Sequence, residues 1–385
     1  MTAPSQPANP VRKRRLFWLG LVLLLACGLE FSAWLGCRVL TAHGIFYRPK
    51  PDAKFTEYLA RRHPVLGWPA GEKFTPRRAP ESERRADQPT LVSLYGESFT
   101  YGSEVSDEEA WGNCLAAKLN ARVDNFGVGG YGTDQAVLRY QLDTNDPARV
   151  VVLSVVTENL MRNVNQYRDL IYASAGLGFK PRFVLNATNG LELVPLPTVS
   201  APDFPACARD PGRFLTHEFF TPDGGRGVGA AGFPFTLSLA RGARHFSVRP
   251  RLRGEPWYAD FFQPEHPSRA LPLTVAIVRE FERVCRTRGR TPLILLLPTG
   301  RDLQHFRQQG RWIHAPLAAA LAQDPHVLDV AGGFARSVAP ERFESLYVAP
   351  SRHMNAAGNA LLADLVAEWI NQQGAAKSPA ETPGR

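Results

Sequence analysis

The sequence predicts an α/β protein of three layers (α/β/α), a parallel sheet between two sets of helices, preceded by one N-terminal transmembrane helix. Three observations carry this. From about residue 88, short apolar runs alternate with amphipathic stretches, which is the pattern of strand–helix–strand units. The run Arg149-Val-Val-Val-Leu-Ser-Val-Val156 is apolar on both faces, as a strand covered on two sides must be. An apolar stretch at 16–29 follows the basic cluster at 12–15, the charge order of a segment whose amino end stays in the cytoplasm.

Taken in order, residues 1–15 read as a polar, basic cytoplasmic end. The apolar stretch resumes after Glu30, so 16–37 is long enough to cross a bilayer. It reads as an uncleaved signal anchor. A cleaved signal peptide, or a lipoprotein site at Leu24-Leu-Ala-Cys27, are the alternatives, and all three export the remainder. Residues 38–87 are rich in proline and charge and read as a juxtamembrane linker, with one short strand near Val65-Leu-Gly-Trp68.

The main domain is expected over 88–373. Strands are predicted at 91–95, 122–126, 149–156, 291–297 and 326–330. Helices are predicted at 107–120, 133–142, 271–288, near 314–323, and at 356–373. Residues 165–270 break this rhythm with many Pro and Gly residues and a hairpin turning at Asn189-Gly190. They read as an insertion that shapes access to the sheet edge. A loose tail is expected over 374–385.

The net charge of +9 comes largely from the 12–15 cluster and scattered arginine pairs. No basic stripe with interleaved aromatics accompanies them, so nucleic acid is not an expected partner. Three of the five cysteines, Cys114, Cys207 and Cys285, lie outside the apolar segment. At most one disulfide fits them, and their spacing supports no metal site. No cofactor is expected.

Four places carry candidate chemistry. Leu91-Val-Ser-Leu-Tyr-Gly-Glu-Ser98 brings a hydroxyl to the carboxyl end of a strand, where open α/β sheets keep their sites. Asn125-Phe-Gly-Val-Gly-Gly130-Tyr-Gly is a glycine loop able to aim backbone N–H groups at an anion. Asn159 follows the buried strand, with Arg162 and Asn163 beyond it as candidate lining residues. His353 sits in Ser351-Arg-His-Met-Asn-Ala-Ala-Gly358 before the last helix. Serine is a weak nucleophile unless a base takes its proton and donors hold the oxyanion, and these residues can supply both.

Those four blocks, in that order, resemble the SGNH (GDSL-type) hydrolases, over 91–163 and 341–370. The resemblance implies a flavodoxin-like α/β/α fold. It implies Ser98 as nucleophile, His353 as general base, and Ser98 N–H, Gly130 N–H and the Asn159 amide as the oxyanion hole. The chain departs from the pattern twice. Glu97 stands where the family has Asp, and Pro350 stands where the family's imidazole-orienting Asp would be. Glu344, Asp329 or Glu158 could supply that carboxylate instead, or a backbone carbonyl could complete a dyad. The expected function is a membrane-anchored ester hydrolase facing outside the cytoplasm, acting on small-molecule, glycan or lipid esters of the cell envelope. An O-acyltransferase for envelope polysaccharide and a non-catalytic binding protein are the alternatives.

Overall fold

The computed structural model describes residues 10–69, 76–77, 79–172, 177–221, 227–349 and 352–374. Residues 1–9, Pro350, Ser351 and 375–385 lie outside them, and so do the expectations placed there. The described residues contain a five-stranded parallel sheet built from β1 (Thr90–Tyr95), β2 (Arg122–Asn125), β3 (Val150–Val156), β6 (Thr291–Leu297) and β7 (Val327–Asp329). The intervening β4 (Arg182–Leu185) and β5 (Leu191–Val194) pair as the antiparallel hairpin the Asn189-Gly190 turn predicts.

The sheet order is β2-β1-β3-β6-β7, all parallel. Crossovers therefore leave β1 in opposite directions, and the carboxyl ends of β1 and β3 flank the switch point where doubly wound sheets bind ligands.

Alternation along the central strands explains the layers, since successive side chains leave opposite faces. Val151, Leu153, Val155, Ile294 and Leu296 belong to one core. It also holds residues of α4 (Thr133–Leu142) and α7 (Ala270–Thr287). Val150, Val152, Leu293, Leu295 and Leu297 belong to the other. Here lie residues of α3 (Trp111–Leu119), α9 (Val330–Ser337) and α10 (Ala356–Gln372). The remaining elements used below are the one-turn α2 (Ser98–Tyr101), α5 (Asn159–Asn163), α6 (Phe235–Gly242) and α8 (Gly300–Gln309).

The N-terminal helix α1 runs Pro10–Ala42, and Val11–Ala42 is apolar and long enough to span a membrane. Glu30, an unfavourable residue in such a helix, is accounted for locally. Its carboxylate accepts from Phe235 N at 2.6 Å, from Thr236 N at 3.3 Å and from the Thr236 hydroxyl, at the start of α6. Leu239 of α6 packs against α1 over Gly36, and Phe235 and Leu239 join Cys37, Ile45 and Phe46 in a small core. The stretch after α1 forms no strand near residue 65, only the isolated bridge His63↔Gly67. It is packed: Tyr47 and Tyr58 share a cluster with Phe179 and Phe204 of the insertion. All five cysteines are free thiols.

Candidate active site

Strand β1 ends at Tyr95, and Gly96-Glu97 turns the chain into α2, with Ser98 as its first residue. The glycine loop after β2 packs directly on this turn. Phe126 N donates to Leu94 O at 2.8 Å, and Val128 N to Gly96 O at 3.1 Å. Glycine is required at 127, because a Cβ there would lie 2.4 Å from Tyr101 N. At Gly130 φ is +93°, in the left-handed region that glycine adopts without strain.

His353 comes from the opposite wall. Before α10, residues 346–348 pair with residues 353–355, Val348 N donating to His353 O and Asn355 N to Leu346 O, both at 3.0 Å. Asn355 caps α10 through Gly358 N, and Asn359 Oδ1 accepts from Trp111 N at the start of α3. So the histidine loop is tied to two helices of one layer. The result is a Ser98 Oγ to His353 Nε2 distance of 2.8 Å between residues 255 apart in sequence. The imidazole rests against Phe99, with ring centroids 4.9 Å apart.

The other ring nitrogen faces a carboxylate, from a residue outside the sequence expectation. Glu104 Oε2 lies 3.2 Å from His353 Nδ1, at ion-pair distance though off the line of a good hydrogen bond, and accepts from His353 N at 3.2 Å. Glu104 Oε1 accepts from Arg352 Nε at 2.8 Å. Burial pulls this carboxyl upward in pKa, but the Arg352 and His353 donors and the imidazole more than offset it, so it lies below its ordinary range. Glu104 holds φ at +71°, two residues after Gly102 at +77°. A left-handed non-glycine residue costs of order 1–2 kcal/mol. Here that conformation stands in the loop that brings the carboxylate to His353.

The three carboxylates expected from sequence are engaged elsewhere. Glu344 accepts from Gln304 and Arg307 on the surface, each at 3.1 Å. Asp329 caps α9 and contacts His314 Nε2 at 3.2 Å. Glu158 does line the cavity, but it binds Arg162 at 2.5 Å and the Tyr172 hydroxyl. Strand and helix ends fix each of these away from Nδ1, so none of them is the partner of His353.

Asn159 is wholly buried at the end of β3. Its Nδ2 donates to Glu97 Oε2 at 2.9 Å, and neither Asn159 Oδ1 nor Glu97 Oε1 has a hydrogen-bond partner among the described residues. Burial drives the Glu97 carboxyl up to about 7, against the pull of the Arg162 charge and the Asn159 amide. Asn163, weighed as a lining residue, instead donates to Thr274 within the core.

Ser98, Gly130 and His353 open on one cavity of about 480 Å³. Its walls include Trp68 from the stretch read as a linker, Tyr172 and Trp257 from the insertion, and four arginines, 162, 168, 301 and 352. Proline-rich sequence around Trp68, read as a linker with a short strand at Val65-Leu-Gly-Trp68, gave no sign of this role.

No protein-family model matches the chain, and no curated protein sequence does. Among solved structures it is similar to a protein from Desulfitobacterium hafniense DCB-2 described as lipolytic and of the G-D-S-L family. There the identity is 13%, the TM-score 0.35, and 73% of this chain and 99% of that chain are covered. A protein from Lactobacillus plantarum matches at 12% identity and TM-score 0.35, covering 74% and 98%. A two-domain esterase active on acetylated mannans, co-crystallised with mannopentaose, matches at 11% identity and TM-score 0.32. In that case 80% of this chain and 57% of the esterase are covered.

Proposed function

We propose that the chain is a membrane-anchored serine ester hydrolase of SGNH type. The observation that carries the reading is the line Ser98 Oγ, His353 Nε2, Glu104, with 2.8 Å and 3.2 Å between successive members. A hydroxyl, an imidazole and a carboxylate in that order are the parts of an activated nucleophile, whatever their order in the chain.

In this mechanism His353 Nε2 accepts the Ser98 proton as Oγ attacks the ester carbonyl carbon. The tetrahedral oxyanion is met by the Ser98 and Gly130 N–H groups; Asn159, buried behind the cavity wall on Glu97, joins them with its remaining Nδ2 hydrogen only if substrate binding opens that wall. His353 then returns the proton to the departing alkoxide, leaving an acyl-enzyme on Ser98. A water molecule, deprotonated by the same imidazole, attacks that acyl group and releases the acid. Glu104 is a positioning residue: it holds the ring and stabilises the imidazolium that forms twice per turnover. A carboxylate at Nδ1 weighs against the non-catalytic reading, whose chief support was Pro350. The basic end of α1 would lie in the cytoplasm and the cavity outside it.

The test is labelling of the full chain in detergent micelles by a fluorophosphonate, comparing wild type with Ser98→Ala and His353→Ala. Labelling lost in both variants, with unchanged thermal melting, supports the proposal. A folded wild type that stays unlabelled overturns it.

A further inference from the structure

We infer that the cavity takes a short acyl ester carried on an acidic glycan, with Arg168 and Arg301 binding its carboxylate. The ester part rests on the hydrolase reading above, whereas the preference for an anion can be read out without it.

The four arginines of the cavity are not equivalent. Arg162 is neutralised by Glu158, and Arg352 by Glu104. Arg168 donates to Gly130 O at 3.0 Å and lies over the rings of Trp68 and Tyr172, at 5.0 and 4.4 Å, but no carboxylate bonds it among the described residues. Burial, and then the neighbouring Arg162 charge, lower its pKa to about 10. Arg301 has no hydrogen-bond or ion-pair partner among the described residues. Two guanidinium groups that no carboxylate bonds among the described residues therefore face one cavity, with Glu158 and Asp169 acting on Arg168 only through space. Both groups are half-buried, so a bound anion would be screened less than at the open surface, and a guanidinium matches a carboxylate with paired N–H donors.

The rest of the lining selects the carrier. Among the described lining residues none is aliphatic, so nothing there would clothe a long acyl chain. The apolar surface is aromatic instead, supplied by Trp68, Phe99, Tyr172 and Trp257. Flat rings beside polar groups suit the C–H faces of sugar rings, and cavities that orient ligands combine such apolar walls with a few fixed polar groups. An acidic sugar satisfies both requirements. A phospholipid satisfies the charge but leaves its tails without an apolar wall.

The experiment is calorimetric binding to the full Ser98→Ala chain in polyoxyethylene micelles, which carry no sugar. The probes are pentamers of galacturonate, mannuronate and guluronate, each beside its neutral methyl ester, and dihexanoyl phosphatidylglycerol. At least one acid is expected to bind ten-fold or more tightly than its ester, with affinity falling several-fold between 50 and 500 mM salt as the charges are screened. Arg301→Gln should erase most of that ratio, and Arg301→Lys should restore part of it. Equal binding of every acid and its ester, or no binding by either, overturns the inference. So does binding of the phosphatidylglycerol in preference to all three acids. Anion-selective binding by a chain whose wild type takes no fluorophosphonate would keep the acidic-glycan assignment and remove the hydrolase reading alone.

Discussion

Glu104→Gln isolates the contribution of one charge while preserving the side chain's shape. At 3.2 Å, a full negative charge and an imidazolium attract by about 5 kcal/mol at an effective dielectric of 20, and by about 1 kcal/mol in bulk water. Both side chains keep about a quarter of their surface exposed, at 26% and 25%, and Arg352 shares the carboxylate. The contact therefore belongs between those limits, at about 2–3 kcal/mol. Because the imidazolium forms only along the reaction, the loss should fall on the rate, at ~10²-fold in kcat with KM little changed. Hydrolysis of p-nitrophenyl acetate by wild type, Glu104→Gln, Glu344→Gln and Asp329→Asn measures it. The last two carboxylates lie away from the ring and should leave kcat within about two-fold, the spread expected of uninvolved surface changes. If Glu104→Gln keeps a third or more of wild-type kcat, Glu104 is not the residue that supports His353.

Gly127→Ala places a Cβ 2.4 Å from Tyr101 N and 2.8 Å from the Thr100 carbonyl carbon, the backbone of the turn that carries Ser98. It should slow fluorophosphonate labelling at least ten-fold and destabilise by about 1–3 kcal/mol, whereas Gly129→Ala, whose Cβ would come no nearer than 4.0 Å to Ser98 Cβ, should melt like wild type. Asp134 and Lys180 form a buried ion pair, their side chains 0% and 5% exposed. Asp134→Asn strands the ammonium and should cost about 3–5 kcal/mol by guanidinium titration. Glu97, with its carboxyl raised from 4.5 to about 7, keeps its proton in the folded chain over a range where the unfolded chain has released it. Stability should therefore fall as pH rises from about 4.5 to 7. Glu97→Gln should melt higher than wild type by a margin that grows across that window and is constant above it, as read by melting temperature at half-unit steps.

Much of this was legible in the chain itself. Thr133–Leu142 and Thr291–Leu297 appear at the residues that periodicity assigns. Each carries its own local determinants: polar residues in the first helical turn, and an unbroken apolar run for a strand buried on both faces. The helix expected from 107 begins at Trp111, because the acidic residues before it form a turn whose Ser106 and Glu109 bond each other. Ser98 and His353 were legible because backbone geometry constrains their neighbours, glycines on one side and a helix-capping Asn355 on the other. Glu104 was not. It is one of 36 acidic residues, it lies outside the four candidate blocks, and its place beside His353 depends on a left-handed turn that no periodicity reports. Trp68, Arg168, Arg301 and Trp257 converge from four distant segments, and only the tertiary arrangement brings them to one wall.

The bond between Glu30 and the start of α6 has a consequence for reach. Read as a free linker, the stretch of about 50 residues between the anchor and the sheet could extend roughly 170 Å at 3.4 Å per residue. A pocket on such a leash would sweep a wide volume at any tilt. Instead the insertion is fastened to α1 within its last thirteen residues, and Tyr47 and Tyr58 of the chain that follows pack against the insertion. If α1 anchors the chain as proposed, the field of action of the pocket is set by the dimensions of the folded body and not by the length of a tether.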